Sequence, residues 1–288
     1  MAEDKELSAL IHLLDDDDKE VFKHVHDKLK SLGPDVIPAL EEVWGAGLSP
    51  VTHDRLEEII HEIQYESLTL DFECWVKDDA YALLHGAYLL ARFHYPDLKY
   101  EEVQKAVTKI RQTIWLELSP NQTPLEQIQI FNQVFYNHHG FKGLQTYDSY
   151  QDFCVNKVIE SKQGNSIIIG IIYQVIANDL GLPVYGVNLN RHYVLAFCKR
   201  AILDFNEYQQ NGLDIMFYIN PVNKGSVFSR NEIKDYLDKM HLDHDPKYFN
   251  PSDHKGIIKE LGGYLLDYYT QENDLQKTAE MELLMKLI

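Results

Sequence analysis

Three residues in the second half of the chain, Ser166, His192 and Asp204, have the types and order of an acyl-transfer site. In such a site a histidine on one strand activates a nucleophile at a helix N-terminus, and an aspartate on the neighbouring strand orients the imidazole. The nucleophile decides what the site can do. A cysteine there is held as a thiolate by the helix terminus and a nearby imidazolium. A serine hydroxyl has too high a pKa for that; it must pass its proton to the histidine during attack, and it needs oxyanion donors. Ser166 equally suits a helix N-cap or first turn, a role without chemistry.

The elements that must position these residues run from Gly164 to Asp204. Gly164-Asn165-Ser166 opens a helix that is apolar round almost its whole circumference as far as Leu180, a pattern that belongs in the middle of a domain. Gly181 fits the left-handed position after a helix, and Pro183 prevents continuation. Val184 to Leu189, His192 to Cys198, Ala201 to Phe205 and Met216 to Ile219 have strand character, and Asn220-Pro221 closes the last of them. Helices first, then short sequential strands, predict an α+β, mostly helical fold with a central buried helix packed on a small antiparallel sheet. Cys198 shares the strand of His192, but six residues of strand leave it about 20 Å away, too far to replace Ser166.

These residues resemble the core of the transglutaminase-like fold, itself similar to papain-type cysteine proteases: Gly164-x-Ser166, then Gly181-Leu182-Pro183, His192 and Leu203-Asp204. Active members of that family carry Gly-x-Cys at the start of the central helix, and counting back fifteen residues from Gly181 puts the place of the cysteine at Ser166. The closer resemblance is to the bacterial Sir-B-one-type branch. It is carried by LLHGAYLLARFHYPDL (83–98), GFKGLQTYDSY (140–150), NKVIESKQG (156–164), IIYQVIANDLGLPVYGV (171–187) and HYVLAF (192–197). In that branch the nucleophilic cysteine is commonly missing, and helical, tetratricopeptide-like segments often follow. Asn190-Arg191 departs from the Pro-x pair that usually precedes the histidine.

The flanks read as helices. Residues 1–66 resemble a HEAT-type repeat, in which Leu7, Leu10, Ile11 and Leu14 precede the run Asp15–Asp18, and Val21, Val25 and Leu29 follow it. The aspartates read as an inter-helix turn, one of them capping the next helix. Pro38 opens a further helix, and Asp54 to Tyr65 makes another. Residues 67–222 form the core domain, with helices Ala80–Phe93, Tyr100–Leu118, Leu125–Phe135 (capped by Thr123) and Val155–Ser161; His138 to Phe141 is read as a turn. In 223–288 a capped helix leads to two amphipathic helices resembling a tetratricopeptide hairpin, with Leu275, Ala279, Leu283 and Met285 on the apolar stripe of the last.

Composition narrows the partners. The 288 residues carry 45 acidic and 27 basic side chains, a formal charge of −18, which repels phosphates and makes nucleic acid and anionic membranes poor partners. No apolar run reaches the roughly 18–20 residues of a membrane span, and the acidic opening MAEDKELSAL lacks the regions of a signal peptide. Cys74, Cys154 and Cys198 are odd in number and far apart, which fits a reducing compartment rather than a disulfide framework. A cytoplasmic location is expected. Neither His138-His139 nor His241-x-x-His244 has a recognisable third ligand, so no metal and no cofactor is expected. The sequence therefore predicts a transglutaminase-like protein without catalysis, acting through a protein or peptide partner in a regulatory role. The alternatives are an acyl hydrolase or transferase using Ser166, His192 and Asp204, and a ligand pocket between helix and sheet.

Overall fold

The computed structural model describes residues 7–288 apart from 8, 12, 17, 45–48, 79–81, 145, 191, 203–204 and 206–213. The chain divides into two compact units, Met1–Glu73 and Cys74–Ile288.

In the first unit, α1 (Lys19–Ser31) and α2 (Ile37–Trp44) precede α3 (Pro50–Lys77). The sequence between Val51 and Lys77 holds no glycine or proline, so α3 continues well past the Asp54–Tyr65 span that its apolar spacing marks. Leu14, Val25, Leu29, Leu40, Leu56, Ile59 and Ile63 form the core of this unit. Two of the aspartates, Asp15 and Asp18, have structural roles. Asp18 caps α1 by accepting from the Glu20 N–H at 2.9 Å, and Asp15 accepts from the hydroxyls of Thr52 (2.6 Å) and Ser49 (2.8 Å). Those hydroxyls hold the Asp15 carboxyl below its ordinary pKa.

The second unit is built round one helix. Before it come α4 (Leu83–Arg92), α5 (Tyr100–Glu117), α6 (Pro124–Asn132) and α7 (Val155–Ser161). Thr123 and Glu126 form a reciprocal capping box at the start of α6. Where a turn is expected at His138, a wide π-helical segment (Gln133–His138) carries the chain on, closed by the His139 N–H donating to the Val134 carbonyl at 2.9 Å. Two short parallel strands, β1 (Lys142–Gly143) and β2 (Gln163–Gly164), then pair just ahead of the central helix α8 (Ser166–Asp179). Every residue of α8 from Ser166 to Gln174 is buried. Gly181, at φ +77°, takes the left-handed position that ends it.

After α8 the strands β3 (Val184–Leu189), β4 (His192–Cys198), β5 (Ile215–Asn220) and β6 (Ser226–Phe228) form an antiparallel sheet in that order. Two expectations change here. Ala201 and Ile202 are not in a strand, because the free edge of β4 is taken by β5, with Phe197 opposite Phe217 and Cys198 opposite Ile215. Nor is the strand at 215–219 the last, since Tyr218 and Ile219 pair onward with Phe228 and Val227.

Tyr193 joins α8 to the sheet. Its ring lies against Gly170 of α8 and Gly186 of β3; a Cβ at those glycines would stand 2.5 Å and 1.6 Å from its atoms. Its hydroxyl donates to Gln174 Oε1 at 3.3 Å, and the same oxygen accepts from the Gly186 N–H at 2.8 Å. Strand alternation sends Val194, Ala196 and Cys198 to the opposite face. There they pack with Ile233 and Leu237 of α9 (Arg230–Lys239) and with Phe249.

The hairpin α10 (His254–Gln271) and α11 (Leu275–Met285) completes the unit. Its buried stripe is Met281, Leu284 and Met285, whereas Leu275 is 81% and Leu283 54% exposed. Of the stripe expected from spacing only Met285, which meets Gly262 of α10, is buried; Met281 and Leu284 take the other inward positions. His94, just past α4, hydrogen-bonds the Tyr269 hydroxyl on α10 and stacks on Tyr150 with centroids 3.9 Å apart.

Burial, with a smaller contribution from Lys277, lowers the His94 pKa to about 4, against a partial opposing effect from Asp274. Between that value and the ordinary 6.5 the unfolded chain binds the extra proton, so stability falls as pH drops through this window. Urea unfolding should show a loss on the order of 2–3 kcal/mol between pH 7 and pH 4 that His94→Gln flattens. Gly170→Ala should lower stability by roughly 1–3 kcal/mol, through overpacking against Tyr193. Gly263→Ala, whose Cβ would meet nothing within 4 Å, should raise it by about 0.5–1 kcal/mol in the same titration.

Candidate functional site

The N-terminus of α8 is assembled from glycine, asparagine and serine in that order. Gly164 accommodates Val158, which a Cβ would approach to 2.6 Å. Asn165, not Ser166, is the N-cap: its Oδ1 accepts from the Ile168 N–H at 2.9 Å, and its own N–H donates to the Asp152 carbonyl at 3.1 Å. The cap has extended dihedrals, and asparagine reaches the third N–H as well as serine would. Its Nδ2 is buried without a partner. Ser166 is the first residue of the helix, 6% exposed, and its Oγ accepts a long hydrogen bond of 3.4 Å from the Tyr193 N–H.

His192 opens β4 opposite Leu189 and is exposed. Its ring meets Tyr236 of α9 edge to face, with centroids 5.5 Å apart. Because Tyr193 faces α8, alternation along the strand directs His192 to the side of α9. Among the described residues no hydrogen bond joins Ser166 to His192. What reaches Ser166 from β4 is a backbone amide. Asn190, just before the strand, has φ +43°, an uncommon left-handed conformation that asparagine tolerates. Asp204 lies outside the described residues, as does the Leu203 beside it. Of the nearest described residues, Ile202 donates its N–H to the Tyr185 hydroxyl at 2.8 Å, and the Phe205 ring meets Tyr185 edge to face.

The buried cysteines offer no alternative nucleophile. Burial pushes the thiols of Cys154 and Cys198 up to about 12, and Cys154 donates to the Tyr150 carbonyl. His244 pairs with Asp238 at 2.9 Å, and among the described residues no group of three His, Cys, Asp or Glu side chains is placed to hold a metal ion. Among the same residues no helix is long and apolar enough to cross a membrane.

Sequence reasoning missed the set Gly170, Gln174, Gly186 and Tyr193. Its signal was present as a glycine inside an otherwise β-branched helix and another inside a strand, each marking a close approach.

A buried helix that starts beneath an antiparallel sheet, with serine at its first position and histidine at the start of the second strand, defines the class: an α+β protein of transglutaminase type. Residues 101–261, more than half of the chain, match the transglutaminase-like superfamily, and the chain belongs to it. Similar proteins include two described as UPF0162 protein, from Xylella fastidiosa strains 9a5c and Temecula1 / ATCC 700964. Each is 24% identical over 227 residues, covering 74% of both chains. A segment of 149 residues, half of this chain, is 25% identical to F-box only protein 21 of Mus musculus and covers 22% of that protein. No solved structure matches.

Asn165→Ala should cost about 1–2 kcal/mol in urea unfolding by removing the cap. Ser166→Ala, which loses one long bond, should cost less than about 1 kcal/mol.

Proposed function

We propose that this protein is a transglutaminase-like scaffold of the Sir-B-one-type branch that acts without covalent catalysis. Its role is to contact a protein or peptide in a cytoplasmic, regulatory setting. The observation that carries the reading is that the Oγ of Ser166 faces the Tyr193 amide while the imidazole of His192 packs on Tyr236. A serine without an aligned base stays a weak nucleophile. The helical flanks, HEAT-like over 1–66 and tetratricopeptide-like over 223–288, supply surface for a partner in this reading. The acidic charge steers that partner away from nucleic acid.

The alternative of an acyl hydrolase or transferase using Ser166, His192 and Asp204 rests on one observation: the N–H that meets Ser166 belongs to the residue next to His192. The two readings separate in one assay. With p-nitrophenyl acetate and a glutamine-containing peptide plus an amine, wild type and Ser166→Ala should turn over at the same background rate, within about twofold. A wild-type rate tenfold or more above that of Ser166→Ala would establish the hydrolase or transferase instead.

A further inference from the structure

A cleft of about 570 Å³ opens at the other end of α8, between α4, α5, the C-terminal turn of α8 and the start of α10. That volume lies within the range of small-molecule sites. It is about 20 Å along the helix from Ser166, taking a rise of 1.5 Å per residue. Buried Leu83, Leu84 and Val107, with the half-buried Val175, make part of its lining apolar, and the rest is polar.

Two opposite charges face this cleft. Arg111 lines it from α5, and its Nε is buried with no acceptor. Asp179 lines it from the last turn of α8. Among the described residues the Nε of Arg111 has no hydrogen-bond partner, whereas Asp179 is exposed and its charge acts on the Tyr100 phenol, which also lines the cleft. In a chain with 45 acidic and 27 basic side chains, a half-buried arginine without a carboxylate partner is out of keeping with its surroundings. Gln104 and Thr108 stand on the same stripe of α5 as Arg111, seven and three residues before it, and also line the cleft. An arginine fork suits a carboxylate, an aspartate suits an ammonium, and an amide and hydroxyl on the same cleft suit a peptide backbone.

We infer that this cleft binds a short peptide with free termini and apolar side chains, its carboxylate on Arg111 and its ammonium directed to Asp179. The inference rests on the cleft alone and is independent of what Ser166 does.

Isothermal titration of the full chain with the dipeptide Leu-Leu, its N-acetyl form and its C-terminal amide tests this. Leu-Leu should bind, and blocking either end should weaken binding about tenfold or more. Arg111→Gln should weaken Leu-Leu by a similar factor and leave the amide unchanged; Asp179→Asn should weaken Leu-Leu and leave the N-acetyl form unchanged. Arg111→Gln removes a buried donor that has no acceptor among the described residues, so its unfolding midpoint should equal or exceed that of wild type; Asp179→Asn, at an exposed position, should keep the wild-type midpoint, and Ser166→Ala should bind Leu-Leu as wild type does. Absence of binding by all three ligands at millimolar concentration would overturn the inference. So would equal affinity for free and blocked peptides, or loss of binding in Ser166→Ala.

Discussion

The wedge of Tyr193 between Gly170 and Gly186 is the constraint on which the second unit depends. A helix with apolar residues on every side has no preferred face of its own, so something must fix its rotation beneath the sheet. Here one aromatic ring fills the space left by two missing side chains, and Gln174 ties both the ring hydroxyl and the Gly186 amide to the helix. Rings bury large areas and leave few alternative packings, so the register of β3 against β4 and the rotation of α8 are set together.

That constraint reaches the candidate site through parity. If Tyr193 faces α8, the residue before it faces away, and this is where His192 meets Tyr236. A change of one residue in the register would exchange the two side chains, but it would also pull the ring out of its two glycine seats. The packing of the core and the relation of histidine to serine are therefore one structural decision. The left-handed Asn190 just ahead of the strand supplies a turn without altering that parity.

Much of this was legible in the sequence because local rules and global packing agree. The Gly-Leu-Pro stop after α8, the Thr123 cap of α6, the aspartate cap of α1 and the apolar central helix all follow from short-range chemistry. Other features depend on distant partners. The strand Ser226–Phe228 is only three residues long and is held in place by pairing with Tyr218 to Asn220. On α11 spacing alone places Met285 on the buried face but misplaces Leu275 and Leu283, which are exposed. At the site, the order of serine, histidine and aspartate could be read, but the direction of His192 could not. That direction is a property of Tyr193 packing, and no pattern within a single strand specifies it.

The two ends of α8 are physically unlike. At the N-terminus the Ile168 N–H is satisfied by Asn165 and the serine hydroxyl meets a backbone amide, while Asn165 Nδ2 is buried without a partner among the described residues. At the C-terminus Arg111 and Asp179 line one cleft, and the buried Nε of Arg111 has no acceptor among the described residues. A buried donor without an acceptor destabilises the free protein, and a ligand that supplies the acceptor removes that cost on binding. By this argument Arg111, which lines the cleft beside Asp179, is a favourable place for a new polar contact at the opposite end of the helix from the serine.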